Sequence, residues 1–302
     1  MRLLVVASGN NGGVAPFVSE QVAALRREGC VVEVLAVVGH GASGYLRQAR
    51  SVVRTVDSFR PDVVHAHYGL CGLLATFQRR VPVVVTYHGS DLNDRKARPF
   101  SLLATRRAAH NIFVSRRLEE SVRRRNSSVV PCGVDFDVFS PRPQQEARAL
   151  VGWSDGRRRV LFAGAFDNPV KNAPLARRAV ELVDGAELVE MKGLGRSDVA
   201  ARMNAADALL LTSLSEGSPQ VVKEALAVGL PVVSVDVGDV AELLAATGGG
   251  LVAGPKAEDL AAALRQYLEH PRRTNARQRM AHLDNRQVAR RLMEIYQSVM
   301  QR

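Results

Sequence analysis

Residues 212–234 read Thr212-Ser-Leu-Ser-Glu-Gly-Ser-Pro-Gln-Val-Val-Lys-Glu-Ala-Leu-Ala-Val-Gly-Leu-Pro-Val-Val-Ser234. The stretch joins two apolar runs, residues 208–212 and 232–235, and predicts two strands with a glycine-containing turn and a helix of about ten residues between them. Glu216 follows the first run, and Glu224 lies about two helical turns further on. Strand, helix and strand in this order are the repeating unit of a layered α/β fold.

The predicted helix start lies between these two glutamates. Gly217, Ser218 and Pro219 precede the helix, where backbone N–H groups without a helical partner and the positive end of the dipole attract an anion. Two carboxylates around an anion-binding helix start predict a site for a nucleotide sugar. The carboxylates would accept protons from hydroxyl groups, while the N–H groups around Gly217–Val221, including that of Gln220, would hold the diphosphate.

The composition predicts a folded protein with one large or two ordinary domains. The 302 residues are 46% apolar and 24% charged. No apolar run approaches the roughly 20 residues of a membrane-spanning helix, and the first run is a strand, too short for a signal-peptide core. Cys30, Cys71 and Cys132 lie far apart, without metal or redox spacing, as is typical of a reducing cytosol. We therefore expect a cytoplasmic protein.

The formal charge of the chain is +11 at pH 7. Residues 79–125 carry twelve Lys and Arg against four Asp and Glu, a net charge of +8. Aromatic residues are scarce in this region, which argues against stacking on single-stranded nucleic acid. Two interpretations stay open: arginines on solvated faces, or peripheral contact with an anionic membrane surface. We expect no nucleic-acid partner.

Strand and helix signals alternate along the whole chain. Residues 2–8 predict a first strand, and a glycine-rich turn and a helix follow it. This alternation predicts parallel sheets covered on both faces, with ligands at the carboxyl ends of the strands. Further predicted strands lie at residues 31–38, 62–67, 81–87, 111–114, 128–131, 160–163, 186–191, 208–212, 231–235 and 250–253.

A polar, proline-bearing segment that begins at Pro141 predicts the domain boundary. We assign residues 1–141 to a first Rossmann-like domain and residues 142–284 to a second. Residues 285–302 predict a terminal amphipathic helix whose apolar residues recur every three or four positions: Val288, Leu292, Ile295 and Val299.

Histidines stand at the ends of two predicted strands. His65 and His67 end one strand, and His88 follows another, next to Gly89. Because His65 and His67 have the same parity on a strand, their side chains point to the same face. Asp91 either caps the next helix or faces an acceptor. We place His65, His67 and Asp91 on the acceptor side.

These motifs together resemble the family 4 glycosyltransferases of the GT-B superfamily. The resemblance rests on Glu216-x7-Glu224, with Glu-Gly-Ser-Pro at its head and Gly229-Leu-Pro-Val-Val at its tail. Asn168-Pro-Val-Lys-Asn172 and Met203-Asn-Ala-Ala-Asp207 are most similar to the subgroup that includes teichuronic acid biosynthesis glycosyltransferases. The resemblance covers nearly the whole chain. It implies an α/β GT-B fold, with two Rossmann-like doubly wound parallel-sheet domains facing a cleft and the terminal helix packed back on the first.

The resemblance also implies roles for individual residues. In this family the first glutamate contacts the sugar and the second contacts the ribose, which assigns these roles to Glu216 and Glu224. The His-Gly-Ser-Asp motif implies that His88 reaches the transferred sugar, so His88 and Glu216 are the predicted catalytic residues. The glycine-rich loop implies that Gly12 and Gly13 approach the donor phosphates or the acceptor.

Two positions depart from the family pattern. Members often carry an arginine and a lysine that meet the donor diphosphate. Ala165 stands at the arginine position, which leaves Lys171 as the main predicted cation, with Lys192 or Arg196 as substitutes. The usual asparagine of a Pro-Asn-Gly-Val-Asp segment is Cys132.

The resemblance implies a retaining transfer of a sugar from a nucleotide-diphosphate donor to a glycan, lipid-linked or small-molecule acceptor. We expect no metal and no cofactor, because cations and the helix end would meet the charge of the leaving group. Two alternatives stay open: a GT-B nucleotide-sugar epimerase or disaccharide phosphorylase, and a non-catalytic basic surface-binding protein with a degenerate sugar site. The sequence does not name the donor base, the sugar, the acceptor or the oligomeric state.

Overall fold

The computed structural model describes residues 1–10, 12–39, 44–45 and 47–301. Its contacts divide the chain into two compact units, each described below by itself. Unit 1 comprises Met1–Gly133 and Leu283–Arg302, and unit 2 comprises Val134–His282. The first division therefore falls after Gly133, ahead of the boundary predicted after residue 141.

Unit 1 is built on a six-stranded parallel sheet with the order β2-β1-β3-β4-β5-β6. The strands carry β-branched and apolar residues because helices cover both faces of the sheet. All five residues of β3 and all five of β4 are buried. The strands are β1 (Arg2–Ser8), β2 (Val31–Val37), β3 (Val63–His67), β4 (Val83–Tyr87), β5 (His110–Phe113) and β6 (Ser127–Val129).

Helices connect these strands in the described part of unit 1. Proline in the first turn begins the first and the fifth of them, and Ser115 caps the sixth by accepting a hydrogen bond from the Leu118 N–H. They are α1 (Pro16–Arg27), α2 (Ala49–Phe59), α3 (Gly69–Ala75), α4 (Ser90–Asn93), α5 (Arg98–Arg107) and α6 (Arg116–Val122).

Unit 2 repeats this architecture with a five-stranded parallel sheet of order β11-β10-β9-β7-β8. Its strands are β7 (Arg158–Phe162), β8 (Ala186–Val189), β9 (Ala208–Leu211), β10 (Val232–Ser234) and β11 (Gly250–Val252). Its helices are α7 (Gln144–Leu150), α8 (Ala173–Glu181), α9 (Arg196–Ala205), α10 (Gln220–Ala227), α11 (Val240–Thr247), α12 (Ala257–Leu268) and α13 (Ala276–Arg279), with short 3₁₀ turns at Pro169–Lys171 and Ala281–Leu283. All eleven predicted strands are present, so the doubly wound α/β fold is confirmed.

The last helix, α14 (Asn285–Met300), packs on α1 and completes the core of unit 1. Alternate residues of β1 point to two separate clusters, as the pleat of a strand requires. Leu3 and Val5 lie with α1 and α14, whereas Leu4 and Val6 lie with α2 and α3. The stripe predicted on the terminal helix is buried in the first of these clusters: Val288, Leu292, Ile295 and Val299.

The strand order sets where each sheet can bind a ligand. The direction of winding reverses between β1 and β3 in unit 1 and between β7 and β9 in unit 2. Ligands of open α/β sheets bind outside the carboxyl ends of the strands at such a reversal. Within the described ranges, no helix has the length and apolar character to cross a membrane.

Candidate functional site

The loop after β9 carries the first glutamate of the predicted pair. Helix α10 begins at Gln220, with Pro219 as its N-cap, so Gly217 and Ser218 lie immediately before the helix as expected. Proline has no side-chain acceptor, and the first N–H groups of α10 therefore have no capping side chain. Glu224 lies within the helix and is almost fully buried.

Lys171 and Glu216 form an ion pair in unit 2. Lys171 Nζ lies 2.6 Å from Glu216 Oε1, and both side chains are only partly exposed. Further hydrogen bonds join the segments that carry them. Thr212 Oγ1 donates to the Lys171 carbonyl at 2.8 Å, and the Leu214 N–H donates to the Val170 carbonyl at 2.8 Å. The loops after β7 and β9 are thus fastened together at the reversal of the sheet.

Arg196 forms a second ion pair, with Glu224. The Arg196 Nη2 to Glu224 Oε1 distance is 2.8 Å, and the exposed fraction of the side chain is 30% for Arg196 but 4% for Glu224. The guanidinium also lies 4.6 Å from the centre of the Phe139 ring. Since a buried carboxylate needs a cation or hydrogen-bond donors, Arg196 stabilises the charged form of Glu224 where it lies.

The structure distinguishes between the two cations predicted to replace the missing arginine at Ala165. Lys192 forms its ion pair with Asp167, and both side chains are more than half exposed. The hydrogen bond from Lys192 and its charge lower the pKa of Asp167. Arg196, in contrast, contacts Glu224. Of the two candidates, only Arg196 contacts one of the predicted functional glutamates in the described structure.

Residues of the β10–α11 loop support the loop that carries Glu216, and sequence reasoning gave them no role. Gly238 has φ +60°, and a Cβ on it would lie 2.9 Å from the Gly217 carbonyl oxygen. Burial raises the pKa of Asp239, whereas the nearby Ser218 side chain and the charge of the buried Lys223 lower it. The Asp236-Val-Gly-Asp-Val motif in the sequence could have indicated that this loop supports the loop of Glu216.

The glycine-rich loop of unit 1 lines a cavity of about 720 Å³. Gly12 and Gly13 have φ of +81° and +155°, as predicted for a tight turn, and a Cβ on either would meet no atom within 4 Å. Tyr45, Tyr68 and Asp91 also line the cavity. Residue 11 lies outside the described residues.

Asp91 fastens the ends of β3 and β4 to each other. Its carboxylate accepts hydrogen bonds from the N–H groups of Gly69, His88 and Gly89 at 2.9, 3.1 and 3.0 Å. Tyr68, just before Gly69, has φ +71° and ψ 148°, a backbone conformation that only glycine adopts readily. Asp91 thus secures a strained strand end, and burial raises its pKa to about 6 although the N–H groups lower it.

His65 and His67 do not reach a surface. Both side chains are fully buried in unit 1. His65 contacts Tyr296 and Thr86, and His67 contacts His88, with its Nδ1 3.0 Å from the His88 Nε2. The prediction that His65 and His67 face an acceptor is therefore wrong, because the helices that cover the sheet also cover this face. They instead support His88, which is partly exposed and has Cys132 Sγ 3.6 Å from its Nδ1.

Burial keeps the two inner histidines neutral. It lowers the pKa of His67 to about 3, and it lowers the pKa of His65 well below its usual value, helped by the charges of His67 and His88. Unfolding returns both side chains to water, where they bind protons below pH 6.5.

The variant His67→Asn tests this burial. The neutral His67 contributes stability that is present above pH 6.5 and is lost as the pH falls towards 3. Between pH 7 and pH 4.5, the unfolding free energy of the wild type should fall by about 2–3 kcal/mol more than that of His67→Asn. Because the pKa of Asp91 is raised to about 6, Asp91 makes the protein more stable as the pH falls from 6 towards its ordinary pKa. Asp91 is present in both proteins, so its contribution cancels from their difference. Urea unfolding at several pH values measures the difference.

The exposed His270 provides the matched control, and His270→Asn should follow the wild type at every pH. Parallel stability curves for the wild type and His67→Asn between pH 7 and 4.5 would contradict the assignment of a buried neutral His67.

Comparison with known proteins places the chain in a family. The model of "Glycosyltransferase Family 4" matches residues 36–138, and that of "Glycosyl transferases group 1" matches residues 157–283. The two matches together span about three quarters of the 302 residues. The chain belongs to glycosyltransferase family 4. Both halves of the family 4 pattern are thus present, and the chain is a glycosyltransferase.

Relatives of this family 4 enzyme include the Bacillus subtilis protein TuaC, whose name assigns it to teichuronic acid biosynthesis as a glycosyltransferase. The two are 28% identical over 262 residues, which are 76% of this chain and 67% of TuaC. The D-inositol 3-phosphate glycosyltransferase of Mycolicibacterium smegmatis is 27% identical over 260 residues, 69% of this chain and 60% of that protein. The predicted resemblance to the teichuronic acid subgroup is confirmed.

Solved structures share the fold of this family 4 enzyme. Sucrose-phosphate synthase from Thermosynechococcus elongatus superimposes with a TM-score of 0.86 at 17% identity, over 100% of this chain and 99% of that one. Anabaena Alr3699/HepE in complex with UDP gives a TM-score of 0.79 at 18% identity, over 99% and 100% of the two chains. The predicted GT-B fold is confirmed.

Proposed function

We propose that the protein is a retaining glycosyltransferase that moves a sugar from a nucleotide-diphosphate donor to a glycan, lipid-linked or small-molecule acceptor. The observation that carries the proposal is the paired charge in unit 2, where Glu216 holds Lys171 and Glu224 holds Arg196. A donor of this class brings hydroxyl groups for the carboxylates and phosphates for the cations. HepE, which shares the fold, was crystallised with UDP-glucose.

In this proposal each group of unit 2 has a chemical task. Lys171 and the positive end of the α10 dipole, which has no capping side chain, stabilise the diphosphate as it departs. Glu216 accepts a hydrogen bond from the sugar, and Glu224 accepts hydrogen bonds from the ribose hydroxyls. Arg196 keeps Glu224 charged and in place. No metal ion takes part in the proposed reaction.

The reaction exchanges one bond to the anomeric carbon for another. The bond from this carbon to the diphosphate oxygen breaks, and a bond to the acceptor oxygen forms on the same face of the sugar. The acceptor oxygen is itself the nucleophile, so no protein nucleophile is needed, and its proton passes to the departing diphosphate. His88 contributes a hydrogen bond to the transferred sugar, and the cavity lined by Gly12, Gly13 and Asp91 receives the acceptor.

The relatives favour transfer over the other reactions of this fold. TuaC and the D-inositol 3-phosphate enzyme are both named glycosyltransferases, and neither name describes an epimerase or a phosphorylase. Relatives named for teichuronic and colanic acid biosynthesis support a polysaccharide or a glycoconjugate as the product.

Two variants test the donor and sugar assignments. Glu224→Ala should raise the donor KM roughly tenfold or more, because a hydrogen bond to a charged group is worth about 1.5–3 kcal/mol. His88→Ala should lower kcat more than it raises the donor KM. Steady-state kinetics with UDP, GDP and ADP sugars measure both effects, and product NMR reports the anomeric configuration.

Glu258→Ala, which removes an exposed carboxylate from α12, is the matched control and should behave as the wild type. Thermal unfolding confirms that the variants are folded. Unchanged kinetics in both Glu224→Ala and His88→Ala would refute these two assignments, and an inverted product would refute the retaining reaction.

We further propose that unit 1 makes peripheral contact with an anionic membrane from the cytoplasmic side. Phe100 and Leu103 are exposed on α5, and Phe77 is exposed with the guanidinium of Arg107, on the same helix, 5.7 Å from its ring centre. Arg107 also lines a cavity of about 500 Å³ together with Arg79. Apolar side chains interleaved with arginines match a surface of acidic phospholipid headgroups.

Leu103→Asp tests this contact in a vesicle sedimentation experiment. The wild type should sediment with phosphatidylglycerol vesicles at low salt and be released at high salt, since exposed charges are screened. Leu103→Asp should remain in the supernatant, because it places a negative charge among the headgroups. Leu150→Asp, at an exposed leucine of unit 2, should sediment as the wild type does. Equal sedimentation of Leu103→Asp and the wild type would exclude this surface.

A further inference from the structure

A chain of buried hydrogen bonds connects α14 to His88 inside unit 1. Tyr296 lies on α14, Gln21 on α1, and His65 and His67 on β3. The side chains of Tyr296, His65 and His67 are fully buried, and that of Gln21 is 7% exposed. Water therefore does not compete for these hydrogen bonds, and each ring nitrogen must act as donor or acceptor according to its protein partner.

The side-chain amide of Gln21 fixes the roles of two ring nitrogens. Its Nε2 lies 3.5 Å from the His65 Nδ1 and 3.4 Å from the His67 Nε2. An amide nitrogen only donates, so both of these ring nitrogens accept. Neutral His65 therefore carries its proton on Nε2, and neutral His67 carries its proton on Nδ1.

The other contacts of His65 agree with this assignment. The Tyr296 hydroxyl lies 2.6 Å from the His65 Nδ1 and donates to it. The protonated His65 Nε2 lies 2.7 Å from the Thr86 Oγ1, which accepts. The Tyr296 hydroxyl therefore makes the short hydrogen bond to the single lone pair of the His65 Nδ1, and the Gln21 amide lies at the longer distance of 3.5 Å.

The same logic extends from His67 to His88. The protonated His67 Nδ1 lies 3.0 Å from the His88 Nε2, which must accept. The proton of neutral His88 is then on Nδ1, the nitrogen nearest Cys132 Sγ at 3.6 Å. The rings of His67 and His88 stack at 5.2 Å, and Phe17 lies against His88 with its ring centre 4.8 Å away, so the plane of His88 is also fixed.

We propose that Gln21 and His67 are positioning residues that hold His88 in the tautomer with its proton on Nδ1. The N–H of His88 then lies against Cys132 Sγ, a weak acceptor, which a hydroxyl oxygen of the transferred sugar would replace. The proposal rests on the sugar-binding role of His88 given above. It assigns functions to two residues whose side chains are buried.

Nitrogen-15 NMR of histidine-labelled protein tests the proposal without any substrate. Two-bond proton–nitrogen correlations show which ring nitrogen is protonated, and His88→Gln identifies the His88 signals. The wild type should show the Nδ1–H tautomer for His88. Gln21→Met, which removes the donor without adding charge, should give a mixture of tautomers at His67 and His88 and lower kcat roughly tenfold, with the donor KM within about twofold.

Gln78→Met is the matched control, because Gln78 is an equally buried glutamine of unit 1 that bonds to the backbone around Val81. Its substitution should leave the His88 spectrum and kcat unchanged. A second pair of variants covers the case in which Gln21→Met does not fold. In His67→Asn the amide nitrogen replaces Nδ1 and should preserve the His88 tautomer and kcat, whereas His67→Leu should lose both.

An Nε2–H tautomer of His88 in the wild type would overturn the proposal, as would a His88 spectrum that neither Gln21→Met nor His67→Leu alters. The spectra require no donor, so they test the positioning of His88 separately from the transfer reaction. The expected tautomers in a protein without transferase activity would support positioning by Gln21 and His67 but refute the proposed function and the sugar contact of His88.

Discussion

Burial of the Glu224 carboxylate is the constraint around which unit 2 is arranged. A charged group with 4% of its side chain exposed requires a cation, and Arg196 supplies it at 2.8 Å. Glu216 meets the same requirement through Lys171, 2.6 Å away. Both pairs lie beyond the carboxyl ends of parallel strands, where connecting loops from different strands converge. The fold thus concentrates two positive and two negative charges in one region, which suits a ligand that has both phosphates and hydroxyl groups.

In unit 1, the candidate histidine, His88, lies against neutral neighbours instead of charged ones. His65 and His67 are buried without an opposite charge and remain uncharged. Their hydrogen bonds can then transmit one pattern of donors and acceptors from Tyr296 and Gln21 to His88. The strained turn beside them is held by backbone N–H groups that converge on one carboxylate, that of Asp91. Ion pairs therefore hold the candidate residues of unit 2, and hydrogen bonds between neutral groups hold those of unit 1.

Periodicity and glycine placement were sufficient to predict every strand and the helix start at Gln220, because these depend on local sequence. The side-chain partners were less predictable. Parity on β3 correctly placed His65 and His67 on one face, but it could not show that α1 and α14 cover that face. Charge alone could not distinguish Lys192 from Arg196 near Glu224, since the path of the loop before α9 decides which one reaches it. The support from Asp239 and buried Lys223 required three-dimensional packing to be seen.

Nucleoside diphosphate binding by Lys171→Met and Glu216→Gln is the most direct measurement of the central claim, that Lys171 serves the diphosphate and Glu216 the sugar. Calorimetric titration uses whichever of UDP, GDP and ADP binds the wild type. Lys171→Met should weaken binding roughly tenfold or more, whereas Glu216→Gln should bind at least as tightly as the wild type, because it releases Lys171 from its carboxylate partner. Equal weakening in both variants, or no binding of any of the three by the wild type, would contradict the account.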